Sequence, residues 1–163
     1  MVEYGLDDIV TKCRRTEGSP GVNMPHKEKI QRQLTDRCFG CGEKNPIGLR
    51  LRFRSEGSSV KTEFAATALY EGYPGYLHGG IMCAILDEAM GWAAYKLSGG
   101  TLAVTAKVHV RFKRPAPVGQ PLTVSASITR KTKRRIWTRA AITRKDGTVV
   151  AEGSAAMVVG EHN

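Results

Sequence analysis

Asp87 is the residue whose setting in the sequence is hardest to explain by folding alone. It stands with Glu88 inside Gly79–Tyr95, where Ile81, Met82, Ala84, Ile85, Leu86, Ala89, Met90, Trp92 and Ala93 cover every face of a 3.6-residue period. A carboxylate inside such a helix is costly unless it is paired, hydrogen-bonded or neutral. Catalysis is one reason to keep it there. A buried ion pair or a subunit boundary would explain it equally well. Upstream lies Leu77-His78-Gly79-Gly80. A helix start offers unpaired N–H groups and a partial positive charge, and glycines let a ligand approach the backbone closely. An oxyanion developing on a carbonyl, such as that of a thioester, would be stabilised there. Glu88 points about 100° around the helix from Asp87 and is read as structural. His78, with no orienting acid nearby, is read as a turn-former or gate rather than a base.

The remaining candidate groups carry less. Cys38-Phe-Gly-Cys41 is a single Cys-x-x-Cys. A structural zinc site needs four ligands, usually two such pairs, and the four histidines are scattered, so no metal is expected. The motif also precedes a strand, which is the wrong context for a redox pair, and it is read as a turn. The chain is basic, with a net charge of +10. Its cations gather at Arg50, Arg52 and Arg54, at Arg111, Lys113 and Arg114, and at Arg130–Arg135. The first reading of this charge is a soluble surface that happens to be basic. Nucleic acid is disfavoured without a finger spacing, helix-turn-helix or aromatic ribonucleoprotein motif, and a phosphate-bearing cofactor or substrate is a further alternative.

These groups must be positioned by the surrounding elements. With 163 residues and 41% hydrophobic content the chain can build one core. No apolar run reaches the ~18 residues of a membrane span. Met1–Ile9 carries Glu3, Asp7 and Asp8 without a basic residue, unlike a secretory signal, so a cytoplasmic protein is expected. Residues 1–37 read as an appended helical arm interrupted at Ser19-Pro20-Gly21, and residues 38–163 as the main domain. Leu49, Leu51 and Phe53 alternate with Arg50, Arg52 and Arg54, which predicts a half-buried strand, and Gly57-Ser58-Ser59 turns it into Val60, Thr62 and Phe64. After the helix, which Ser98-Gly99-Gly100 ends, four alternating segments follow. The first places Val104, Ala106, Val108, Val110 and Phe112 on one face, and the second Leu122, Val124, Ala126 and Ile128. The third carries Ile136, Thr138, Ala140 and Ile142, and the last spans Thr148–Val159 beyond the Asp146-Gly147 turn. Short turns demand antiparallel pairing. One apolar helix needs a sheet curled around it, which makes the fold class α+β.

The segment Leu-His-Gly-Gly-Ile-Met-Cys-Ala-Ile-Leu-Asp-Glu-Ala at 77–89 resembles the helix motif of hotdog-fold thioesterases of the phenylacetate and 4-hydroxybenzoyl-CoA type. Cys38–Leu49 and Val110–Gly119 are similar to other parts of that superfamily, so the resemblance covers roughly residues 38–160. It implies an antiparallel curved sheet around one long buried helix. It implies hydrolysis of an acyl-CoA to free acid and CoA, without a cofactor, in a dimer or tetramer whose site lies at the subunit boundary. The carbonyl would sit near the N–H groups of Gly79 and Gly80, and Asp87 of the other subunit would act as general base or nucleophile. Some relatives have an asparagine where Gly72 stands here. Some use a Ser or Thr at the position of Thr105, which the alternation turns away from Val104 and Ala106 unless a bulge or a subunit boundary intervenes. Arg111, Lys113, Arg114 and Arg134 are candidates for the CoA phosphates. A non-catalytic acyl-CoA-binding protein and a hotdog hydratase or dehydratase are the alternatives.

Overall fold

A computed structural model describes residues 36–160. The helical arm expected at the N-terminus lies almost wholly outside them. Two compact units divide the chain, one made of residues 1–50 with 160–163 and the other of Leu51–Val159. The described part of the first is a set of turns. Gly42 N–H donates to Cys38 O, Gly40 N–H to Cys38 Sγ, and Leu49 N–H to Phe39 O. Cys38 and Cys41 therefore sit in a turn, as their context suggested.

The second unit runs β1 (Arg54–Glu56), β2 (Ser59–Ala65), α1 (Gly79–Leu97), β3 (Ala103–Phe112), β4 (Pro121–Lys131), β5 (Arg135–Arg144) and β6 (Val149–Val159). The strands form one sheet in the order β1-β2-β4-β5-β6-β3, antiparallel throughout. After α1 the chain crosses to the far edge as β3 and returns through the β4–β5–β6 meander. Bulges between Thr105 and Lys107, Ile128 and Arg130, and Ile142 and Thr143 bend three of the ladders and curl the sheet.

The helix fills the concave side. Met82, Ile85, Leu86, Ala89, Met90, Ala93 and Ala94 form its buried stripe. They meet Leu122, Val124, Ile136, Ala140, Ile142, Ala151, Ala155 and Met157 of the sheet. Each large apolar side chain buried here contributes about 1.5–3 kcal/mol. Gly153 lets α1 approach β6: a methyl group added there would lie 3.3 Å from His109 O and 3.5 Å from Met90 Cε. Cys83, Ala84, Asp87, Glu88 and Gly91, on the other side of α1, are only half-covered. The helix is thus buried by the sheet along one stripe rather than all round within one chain.

One expected strand is much shorter than its alternation suggested. Leu49, Leu51 and Phe53 are buried and the arginines between them exposed, as expected, but only Arg54–Glu56 pairs. Arg50 has φ 54°, a left-handed conformation that interrupts the extended run. The remaining turns follow their sequence signals. Gly57 (φ 57°) closes β1–β2, Gly147 (φ 84°) closes β5–β6, and Gly99 and Gly100 end the helix with Gly100 N–H donating to Tyr95 O at 2.8 Å.

Candidate active site

The start of α1 is held by the loop before it. His78 N–H donates to Tyr70 O at 2.9 Å, Leu77 N–H to Ala116 O at 2.8 Å, and Tyr76 bridges Pro117. The Pro115–Pro117 turn thereby fixes where the helix begins. His78 is its N-cap, with extended backbone (φ −62°, ψ 138°). Its Nδ1 accepts the Gly80 N–H at 2.9 Å, an unusual use of imidazole in a place Ser, Thr, Asp or Asn commonly fill. An Nδ1 that accepts leaves the neutral ring's proton on Nε2.

Both flanking glycines make room for that ring. A Cβ on Gly80 would lie 3.0 Å from His78 Nδ1, and one on Gly72 would lie 3.0 Å from His78 Cδ2. Gly72, where some relatives carry asparagine, is therefore the floor under the imidazole. The two glycines of the motif are not equivalent. Gly80 N–H is occupied by His78, Ile81 and Met82 N–H bond to His78 O, and Gly79 N–H has no acceptor among the described residues. The Phe112 ring, half-exposed at the end of β3, lies over Gly79 at 3.5–3.9 Å from where a Cβ would stand. The sequence assigned Phe112 only to a core face; its place over the helix start comes from the crossing of β3 with α1.

Asp87 is half-buried, and its Oδ1 accepts the Thr105 hydroxyl at 2.8 Å. Thr105 reaches it because of the bulge. Thr105 pairs with the core-facing Met157, whereas beyond the bulge Val108, Val110 and Phe112 pair with Ala155, Gly153 and Ala151 on that same face. The side-chain parity flips at Ala106, so Thr105 faces the helix despite the alternation. Glu88 accepts from Trp92 Nε1 at 2.9 Å, in keeping with a structural role. Trp92, half-buried, stacks on Phe53 with centroids 6.0 Å apart, and Met90 is fully buried in the core.

The four basic candidates do not gather in one place. Arg111 pairs in register with Glu152 on the sheet face away from α1, and Lys113 Nζ lies 2.8 Å from Glu152 Oε2. Arg114 stands two residues beyond Phe112, at the helix-start end. Arg134 lies in the β4–β5 hairpin, beside Val159 at the opposite end of β6.

Comparison with known proteins agrees with this fold. The thioesterase superfamily model matches residues 74–151, from the loop before α1 into β6. Acyl-coenzyme A thioesterase THEM4 of Xenopus laevis is 28% identical over 89 residues, which cover 55% of this chain and 39% of that protein. The Bos taurus protein of the same name is 31% identical over 67 residues, 41% of this chain and 26% of its own. The chain spans less than half the length of these curated relatives. Among solved structures, a thioesterase superfamily protein superposes with a TM-score of 0.66 at 30% identity, covering 72% of this chain and 60% of that one. The PaaI protein from the E. coli phenylacetic acid degradation operon superposes with a TM-score of 0.64 at 21% identity, covering 71% and 83%. The curved antiparallel sheet around α1 and these superpositions show the hotdog fold, and residues 74–151 of this chain are similar to the thioesterase superfamily.

Proposed function

We propose that the protein hydrolyses an acyl-CoA thioester, with Asp87 as the reacting carboxylate. The observation that carries this reading is the Thr105–Asp87 hydrogen bond at 2.8 Å. It fixes one carboxylate oxygen and leaves Oδ2 without a protein partner among the described residues, aimed by a neighbour that itself requires a backbone irregularity. Water attacks the thioester carbonyl as Asp87 takes its proton, or Asp87 attacks first and water cleaves the resulting anhydride. The carbon–sulfur bond breaks, CoA leaves as the thiol, and the acyl group leaves as the acid. Neither a metal nor an organic cofactor enters these steps. Gly79 N–H, at the positive end of α1, meets the oxyanion. His78 caps the helix and presents Nε2–H beside it.

Asp87 lies eight residues into α1 from Gly79, about 12 Å of axial rise. One carbonyl cannot touch both groups of a single helix. The site is therefore completed by a second copy, whose Asp87 approaches this chain's Gly79. The β3 edge supports such self-association: among the described residues it is unpaired on one side, and it exposes Val108 and Phe112, 45% and 51% exposed, on the helix-facing side. Arg114, closest in sequence to the helix-start end, is the basic residue we assign to a CoA phosphate. Cys83 is a free thiol, which suits the reducing cytoplasm, and no helix among the described residues is long and apolar enough to cross a membrane.

The test is thiol release from a panel of aliphatic and aryl acyl-CoAs. Asp87→Asn is expected to lower kcat by at least about a hundredfold, the scale of a lost general base. Release of no CoA by the wild type from any substrate would defeat the proposal, and full activity in Asp87→Asn would defeat the assignment of Asp87.

A further inference from the structure

We infer that the outer face of the sheet carries a second binding site, for a phosphate-bearing small molecule of nucleotide size. It lies on the opposite side of the sheet from Asp87 and does not rest on the thioesterase reading. A concavity of about 700 Å³ crosses strands β2, β4, β5, β6 and β3 there. Ligand sites typically enclose about 300–1,000 Å³, and an inorganic phosphate alone would leave most of this space empty.

The register explains the trough. One row across the sheet reads Lys61, Ser125, Ala141, Glu152, Arg111, and the next reads Ser127, Arg139, Ser154, His109. Their neighbours along each strand, such as Val124, Ala140 and Ile142, are buried against the helix, so these rows face outward. Small side chains make the floor, and longer basic ones stand at its ends and centre. The first row spans four strand spacings, about 19 Å.

Charge selects the occupant. The lining holds Lys61, Arg111 and Arg139 against Glu152 alone. Glu152 is already matched by Lys113 at 2.8 Å, and Lys61 by Glu56 at 2.9 Å. Arg111 has no side-chain partner among the described residues. Arg139 spends only Nε, which donates to Ser127 Oγ at 3.3 Å. Two guanidinium forks are left facing a trough with serine hydroxyls on its floor, which fits phosphate oxygens and a ribose. A second copy of the chain fits less well. Self-pairing would set a lining of three basic side chains and one acid against the same lining.

ADP is the probe, titrated calorimetrically into the full chain with adenosine as control. ADP is expected to bind and adenosine not. Arg139→Gln, which removes one fork, and Ala141→Glu, which fills the floor with an acid, are each expected to weaken ADP by about tenfold or more. Arg139 is exposed, so Arg139→Gln decides the matter even if Ala141→Glu folds poorly. Failure of the wild type to bind ADP overturns the proposal, as does equal affinity in both variants, which would place the ADP elsewhere. Loss of a wild-type oligomer in Ala141→Glu by sedimentation velocity, without ADP binding, overturns it in favour of a second copy.

Discussion

Gly79 and Gly80 are adjacent and carry different obligations. Gly80 must lack a side chain because the His78 ring occupies the space a Cβ would take, 3.0 Å from Nδ1. Gly80→Ala is therefore expected to displace the cap and cost about 1 kcal/mol, seen as a drop in Tm of several degrees. Gly79 has no such constraint, since a Cβ there would make an ordinary 3.5 Å contact with Phe112. What it supplies to the proposed reaction is an N–H. Proline suits the first position of a helix, and the extended backbone of His78 suits the residue before a proline. Gly79→Pro thus deletes the donor while keeping the fold. We expect an unchanged Tm and a fall in kcat of about 10²–10³, the scale of one lost oxyanion donor. Wild-type turnover in Gly79→Pro would remove Gly79 from the site.

At the scale of elements, the helix and the meander were legible because their signals are local. The apolar period of 79–95, the glycines that end it and the Asp146-Gly147 turn each specify their own geometry. Two features were not legible, both set by pairing partners. The bulge at Ala106 flips the parity of β3, and nothing in Val104–Phe112 announces it; the demand comes from β6, whose core-facing residues fix the register at both ends. Arg50 likewise reads as a strand residue but turns left-handed, leaving a three-residue β1. For the same reason the sequence marked Thr105 as a candidate but could aim it at the helix only on condition of a bulge, which the pairing with β6 supplies. The fit of α1 on β6 is equally non-local, and Gly153 tests it. Gly153→Val drives methyl groups toward His109 O, Met90 Cε and Leu86 Cδ1, at 3.3–3.6 Å from the first added carbon. Overpacking of this kind costs about 1–3 kcal/mol. Chemical denaturation should show that loss, and Met90→Ala in the same background should recover part of it, giving a coupling energy between the two sites. Simple additivity would mean that the helix contact is not what Gly153 protects.

For the whole molecule the deciding distance is the run of α1 between Gly79 and Asp87. With the proposed oxyanion donor and carboxylate separated by about 12 Å on one helix, the proposed reaction assigns each to a different reaction centre, and a symmetric pair of chains would bring one of each together. This makes a prediction that one chain alone could not satisfy. Asp87→Asn keeps its Gly79 N–H, and Gly79→Pro keeps its Asp87 carboxylate, so each variant alone is inactive. When they are mixed and allowed to exchange subunits, every mixed pair contains one centre with both native groups and one with neither. Random exchange makes half the dimers mixed, so about a quarter of wild-type thiol release should return under twofold symmetry. The recovery should follow the exchange time and vanish when the two variants are kept apart. If the mixture stays as inactive as its components after exchange has been demonstrated, Asp87 and Gly79 do not act across the boundary, and the carboxylate at the heart of α1 must serve a carbonyl bound somewhere other than the start of its partner's helix.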